Sequence, residues 1–362
     1  MALEVGIVGL PLVGKTTLFN ALTSGHAEAT AYTKASTKPN VGVAKVPDRR
    51  LNLINEFIET EKIVNAAIQV VDVAGLSRGA GEGGANKFLA HIRDMDALVH
   101  VVRCFESDEV IHVDQTIDPA RDVDTIETEL IFADYEQVTA SLDKARRSAK
   151  SGDKDSIARA AVLEAAQAQL NEGKPVRDMK LSAEQQKLIK SMGLLTAKKV
   201  LTVANVGEDD VHGRGELVQK LRARCEAAGS PVVAICAKLE AEIAELSEAD
   251  RAEMLKAMDL EEPALALLAR EMYKLLGLQS FFTAGPKEIR AWTIPIGATA
   301  PQAAGAIHTD FERGFIRVEI YTIDDLKTHK TEQAIKAAGK LRVEGKNYVM
   351  KDGDVSHFLF NV

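Results

Sequence analysis

Gly9-Leu10-Pro11-Leu12-Val13-Gly14-Lys15-Thr16 follows the apolar run Val5 to Val8 and precedes a helix-forming stretch, Lys15 to Leu22. The spacing is G-x-x-x-x-G-K-[ST] between a strand and a helix, the context in which a glycine loop wraps a triphosphate. Backbone N–H groups from Val13 to Thr16 can point at phosphate oxygens, helped by the positive end of the helix. Lys15 is placed to reach the β- and γ-phosphates and to act in catalysis, and the Thr16 hydroxyl to ligate Mg²⁺. Leu12 and Thr17 flank these groups and join the expected nucleotide site. The plain alternative, a tight glycine turn with a surface lysine, is outweighed because both flanking elements are in place.

Outward from this loop, Ile68 to Val73, Ala97 to Cys104, Lys199 to Asn205 and Val232 to Cys236 read as further buried strands. A glycine-rich stretch runs to Gly84, and Asn86 to Ile92 reads as helix. Strands alternating with helices predict an α/β fold with a mostly parallel sheet. Residues 30–49, rich in Thr, Lys, Ser and Pro, read as a loop. Between the third and fourth strands, Ile131, Tyr135, Val138, Leu142, Ala145 and Ala149 step by fours and threes, a heptad stripe on a long helix. Ser151-Gly152-Asp153 breaks it, and a second helix marked by Ala160, Leu163 and Leu170 runs to Gly173-Lys174-Pro175. This predicts an inserted antiparallel coiled-coil hairpin, against the simpler reading of two surface helices covering the sheet. Past residue 279, Phe315 to Tyr321 alternates as a half-buried strand, and Asp352-Gly353 marks a turn before a last strand, Val355 to Phe360. The expected organisation is 1–128 and 197–278 for the two parts of the nucleotide domain, 129–196 for the hairpin, and 279–362 for a small mixed domain.

The chain has 362 residues, 46% hydrophobic and 27% charged, with a net charge of -8. An acidic molecule does not attract nucleic acid as a whole, so RNA binding has to come from a local basic patch. Three cysteines without a CxxC pair argue against a zinc site or a disulfide framework and fit a reducing compartment. No basic leader and no membrane-length apolar stretch is evident, so a cytoplasmic location is expected.

Asp72-Val73-Ala74-Gly75 follows a strand downstream of the glycine loop. An aspartate there holds magnesium, usually through water, and the Gly75 N–H can meet a γ-phosphate. Leu76 stands where a Ras-like protein carries its water-orienting glutamine, and an apolar side chain cannot take that role. Asn205-Val206-Gly207-Glu208 stands where a guanine-specific site reads N-K-x-D. Glu208 is one methylene longer than the aspartate that accepts two guanine hydrogen bonds, and Val206 replaces the lysine that packs along the base. Strong guanine discrimination is therefore not expected. Cys236-Ala237-Lys238 resembles the S-A-K loop that backs the base.

With these motifs stand Asn86-Lys87-Phe88-Leu89-Ala90-His91-Ile92-Arg93, His100-Val101-Val102-Arg103-Cys104-Phe105, Arg290-Ala291-Trp292-Thr293 and Ala303-Ala304-Gly305-Ala306-Ile307-His308-Thr309-Asp310-Phe311. Together they resemble the YchF / Obg-like ATPase family over essentially the whole chain. The resemblance implies a P-loop G domain, an inserted coiled coil and a C-terminal TGS domain of β-grasp type. It implies ATP preferred over GTP, slow hydrolysis, association with the ribosome and links to stress responses. It puts the switch I magnesium ligand at Ser36 or Thr37 within Lys34 to Asn40. It brings forward His91 as the group acting in place of the missing glutamine, an imidazole being able to orient or deprotonate water. A buried, inert helix histidine is the equal alternative. Leu12 departs from the family's asparagine, which in related GTPases helps hold a monovalent cation, so potassium stimulation is not expected.

The expected site is therefore Leu12, Val13, Gly14, Lys15, Thr16, Thr17, Gly75, Asn205, Val206, Glu208, Ala237 and Lys238 for nucleotide, with Thr16, Ser36, Thr37 and Asp72 around Mg²⁺. The expected partners are ATP, GTP more weakly, and the large ribosomal subunit. The contact is expected through the helical hairpin, the TGS domain or both, by a monomer that binds no membrane. Lys144, Arg146, Arg147, Lys150, Lys154 and Arg159 cluster at the predicted hairpin tip, where phosphate contact competes with simple solvation. Two rivals stand beside the ATPase reading: a GTP-specific assembly factor of the same fold, and a nucleotide-gated adaptor with incidental hydrolysis. A P-loop kinase is more distant, because D-x-x-G and N-x-x-E belong to switch NTPases.

Overall fold

The computed structural model describes residues 3–23, 40–73, 81–107, 110 and 112–361, with only the backbone described over 81–87. By contacts the chain divides into two compact units, one of residues 1–42 and 69–265, the other of residues 43–68 and 266–362.

A six-stranded sheet, most of it in the first unit, has the order β2 (Asn40–Val46), β4 (Ala66–Asp72), β1 (Glu4–Val8), β5 (Ala97–Cys104), β6 (Lys199–Val206), β7 (Val232–Ile235). From β4 to β7 every neighbour is parallel. The expectation of a mostly parallel sheet is borne out. All eight residues of β5 are buried, His100 and Arg103 among them, which explains why the strand reads as mostly apolar rather than alternating. The helices of this unit are α1 (Lys15–Thr23), α3 (Gly81–Asp94), α4 (Pro119–Ala149), α5 (Lys154–Asn171), α6 (Ala183–Ser191), α7 (Glu216–Ala227), α8 (Ala237–Glu245) and α9 (Glu248–Ala257).

α4 and α5 form the inserted hairpin. Ile131, Val138, Leu142 and Ala145 from α4 pack with Ala160, Leu163, Ala166 and Leu170 from α5 in a core of their own. The turn uses Gly152 at φ 79°, a left-handed conformation that glycine adopts without strain. Asp153 then caps α5 by accepting from Ser156 N. α4 begins at Pro119, ten residues before the expected start of the insertion at 129, with Asp118 as its N-cap. Buried Asp134 fastens α4 to the chain before β6, accepting from Leu195 N (2.9 Å), Thr196 N (2.7 Å) and Thr196 Oγ1 (2.7 Å).

The second unit carries the sheet β11 (Arg342–Glu344), β10 (Phe315–Tyr321), β12 (Val355–Phe360), β8 (Leu278–Ala284), β9 (Ile289–Pro295), β3 (Ile63–Val64), with α2 (Arg49–Asn55), α10 (Ala264–Leu275), α11 (Ala300–Ile307), α12 (Thr309–Arg313), α13 (Ile323–His329) and α14 (Glu332–Ala337). Its core gathers Phe281, Ile294, Ala303, Val318, Ile320 and Phe358.

Four readings of the sequence change. The stretch 30–49, read as a loop, contains β2 and the start of α2. The glycine-rich run expected to last to Gly84 is already helical from Gly81. The alternation of Phe315 to Tyr321 is broken by a bulge: a register shift between Phe315 and Arg317 buries Phe315 (5% exposed) and turns Ile316 out (52% exposed). The turn at Asp352-Gly353 precedes β12 as expected, yet β12 does not pair with β11, because β10 lies between them.

Candidate nucleotide site

A cleft of about 580 Å³ opens at the C-terminal ends of the parallel strands. Leu12, Gly14, Lys15, Thr16, Thr17, Asn205, Val206, Glu208, Ala237 and Lys238 line it together, so distant segments of chain meet there. This is the edge of a parallel sheet where α/β proteins hold ligands. Ser36, Thr37, Gly75 and Leu76 lie outside the described residues.

The glycine loop bends through three left-handed positions, Gly9 (φ 150°), Leu12 (φ 63°) and Gly14 (φ 94°). Gly14 is required on contact grounds as well, since a Cβ there would sit 2.3 Å from Asn205 Nδ2. Leu12 has no such freedom and pays strain of about 1 kcal/mol for its left-handed backbone. Lys15 is buried, and its ammonium donates to the Leu10 carbonyl at 2.7 Å. Burial pulls its pKa down to about 8, with Asp72 opposing. Thr16 Oγ1 donates to Asp72 Oδ2 at 2.8 Å. Burial raises the Asp72 carboxyl above its ordinary range, while hydrogen bonds from Thr16 and Asn40 and the charge of Lys15 hold it back.

At the base end, Asn205 bridges two loops. Its Nδ2 donates to the Val13 carbonyl (2.8 Å) and its Oδ1 accepts from Ala237 N (3.0 Å). Val206 is 2% exposed and packs into the core beneath. The Glu208 carboxylate pairs with Lys238 Nζ at 2.8 Å, both side chains being well exposed. His91 sits half-buried in the last turn of α3 and is not among the residues lining the cleft.

Sequence reasoning did not assign Asn40, whose side chain bonds Asp72, nor Phe105, Glu106, Ser107 and Val110, which line the cleft beside Asn205 to Glu208. The available signal for the latter was position, since they follow β5 at the end of the sheet where ligands bind.

Mg²⁺ fits these donors. Thr16 and Asp72 offer hard oxygens 2.8 Å apart beside the phosphate-binding loop. A second cluster, His112, Asp114 and Asp122, is different in kind. His112 Nδ1 accepts from Asp114 N, His112 Nε2 meets Asp122 at 2.8 Å, and Arg121 pairs with both carboxylates, so the group reads as an ion-pair network. Among the described residues no helix is long and apolar enough to cross a membrane.

Residues 4–135 match the family model of a 50S ribosome-binding GTPase, and residues 278–361 match YchF-GTPase_C, described as a protein of unknown function (DUF933). The chain is 48% identical over 364 residues to the ribosome-binding ATPase YchF of Escherichia coli O157:H7, covering 100% of both chains. It is 46% identical to the protein of that name from Bacillus subtilis strain 168, again over 100% of each. The solved structure of the Schizosaccharomyces pombe YchF GTPase superposes with a TM-score of 0.87 at 35% identity, covering 99% of this chain and 97% of that one.

Proposed function

The chain belongs to the YchF family, and from that premise we propose that it is a ribosome-binding, Mg²⁺-dependent ATPase that uses ATP in preference to GTP and yields the diphosphate and phosphate. The observation that carries the base preference is the Glu208–Lys238 pair. A guanine reader needs a carboxylate at a fixed distance from the base edge, whereas Glu208 is one methylene longer than the aspartate of such a site and turns toward Lys238 at the surface. Val206, turned into the core, supplies no lysine stem along the base. A pocket so built selects through shape and backbone and loses the hydrogen-bond penalty that would exclude adenine.

In this reading Lys15 leaves the Leu10 carbonyl to meet the β- and γ-phosphates, and N–H groups from Val13 to Thr17 receive their oxygens. Thr16 and Asp72, the latter braced by Asn40, hold Mg²⁺, with Ser36 or Thr37 completing the set. The ion, when bound, neutralises charge on the β- and γ-oxygens. Asn205 keeps the phosphate loop and the Ala237 loop in register. We assign the Gly75 N–H to the γ-phosphate and His91 to the attacking water; because Leu76 cannot position that water, unassisted hydrolysis is slow in this reading. The reading also takes the chain as a cytoplasmic monomer in the four-part organisation given by its sequence. Its ribosomal contact, on the large subunit, runs through the hairpin formed by α4 and α5, the C-terminal domain or both. Calorimetry with ATP and GTP on the purified protein tests the base preference. ATP should bind at least as tightly, converting Val206 to Lys and Glu208 to Asp should move preference toward GTP, and a large native preference for GTP would overturn the proposal.

A further inference from the structure

A guanidinium is costly to bury and persists in a core only where its donors are met. Arg103, near the end of β5, is 2% exposed. Its Nε donates to the Phe105 carbonyl at 3.0 Å and its Nη1 to the Val110 carbonyl at 2.8 Å. The guanidinium carbon also lies 4.6 Å from the centroid of the Phe105 ring. Burial lowers its pKa and the charge of Asp122 opposes this. Arg103 is not among the residues lining the cleft, but Phe105 and Val110 are. It stands in register with Asn205 on β6, and a Cβ placed on Gly207 would lie 3.7 Å from Phe105 Cβ. The wall that Arg103 holds therefore borders the segment from Asn205 to Glu208.

We propose that Arg103 is a positioning residue for the base end of the nucleotide cleft, acting through the Phe105 ring and the carbonyls of Phe105 and Val110. The inference rests on reading the cleft as a nucleotide site. Its fork reaches two carbonyls at once while its flat face supports the ring, a task that the single ammonium of lysine does not reproduce. The phosphate end of the cleft has contacts of its own, Lys15 to the Leu10 carbonyl and Thr16 to Asp72. Loss of Arg103 should thus be felt by the base and not by the phosphates.

The test compares ATP with inorganic triphosphate, each with Mg²⁺, in the wild type, Arg103→Lys and Phe105→Leu. Both affinities are read by competition against a fluorescent nucleotide. Arg103→Lys is expected to raise the Kd for ATP about tenfold and to leave that for triphosphate within about twofold. Phe105→Leu should show the same split with Arg103 in place. It also decides the matter if circular dichroism shows Arg103→Lys to be unfolded. Equal weakening of ATP and triphosphate would reduce Arg103 to a general structural role and overturn the proposal. So would Phe105→Leu binding ATP as the wild type does. A wild type that binds no nucleotide would instead remove the nucleotide-site reading, and this inference with it.

Discussion

Nucleotide binding should take up a proton through Lys15, and affinity should fall as the solution is made alkaline. In the free protein the Lys15 ammonium is buried against the Leu10 carbonyl, and desolvation brings its pKa to about 8. Phosphate oxygens would surround that ammonium with negative charge and return its pKa well above this value. The bound state then holds the proton more tightly than the free state, so binding favours the acid side and weakens as pH passes the free-state pKa. With a free-state pKa of about 8, the affinity ratio between pH ~7 and pH ~9 is roughly (1 + 10)/(1 + 0.1), a loss of about tenfold. At pH ~8 about half a proton should enter per nucleotide bound, and at pH ~6.5 almost none from Lys15. Titration calorimetry in buffers of different ionisation enthalpy measures the proton directly, and Kd measured across the same range gives the affinity. A Kd independent of pH across that range, or no buffer-dependent heat at pH ~8, would refute the argument from burial.

His100 is 5% exposed on β5, and burial, aided by Lys15 and Arg177, lowers its pKa to about 4. The unfolded chain therefore binds a proton that the folded one refuses between pH ~6.5 and ~4, and this should remove roughly 2–3 kcal/mol of stability at pH ~4.5, a loss that His100→Gln should abolish in urea titrations. Changing Arg146, Arg147 and Lys150 to Ala should weaken salt-sensitive co-sedimentation with ribosomes and leave ATP affinity unchanged. The fold should tolerate this, since the Arg146–Glu164 pair at 2.9 Å is exposed on both sides; the same loss from changing Lys327, Lys330 and Lys336, with the hairpin variant binding normally, would move the contact to the C-terminal domain. Leu12→Asn should stabilise the protein by up to about 1 kcal/mol in a urea titration, because asparagine accepts a left-handed backbone more readily than leucine. ATP turnover by the wild type should be alike in potassium and sodium, and strong potassium activation would contradict this.

The sheet was legible because its central strands are short and mostly buried, β5 along its whole length. The limits of β5 coincide with the strand read from Ala97 to Cys104. The hairpin was legible because a heptad stripe has a single useful partner, a second helix. What escaped was decided at a distance. β2 lies in a Lys- and Pro-rich stretch whose own pattern favours a loop, and it becomes a strand by joining the edge of a sheet. The bulge at Ile316 depends on the partner strand, β12, and the sequence of β10 alone cannot announce it.

From its own order of residues the chain determined a triphosphate loop at Gly9 to Thr16, a departure from guanine-reading chemistry at Val206 and Glu208, and membership of a family. All of these depend on residue type at fixed spacing, which local backbone geometry converts directly into position. Only the tertiary structure decided that Glu208 spends its charge on Lys238, that Asn40 braces Asp72, and that a buried Arg103 carries the wall around Phe105. The first two are pairings between segments whose separation in the chain says nothing about their distance in space; the third is local in the chain, but its burial beside Asn205 is set by the pairing of β5 with β6. They exist because the sheet sets β2 against β4, β5 against β6 and β6 against β7, so each side chain's energy depends on the neighbours that the other strands supply.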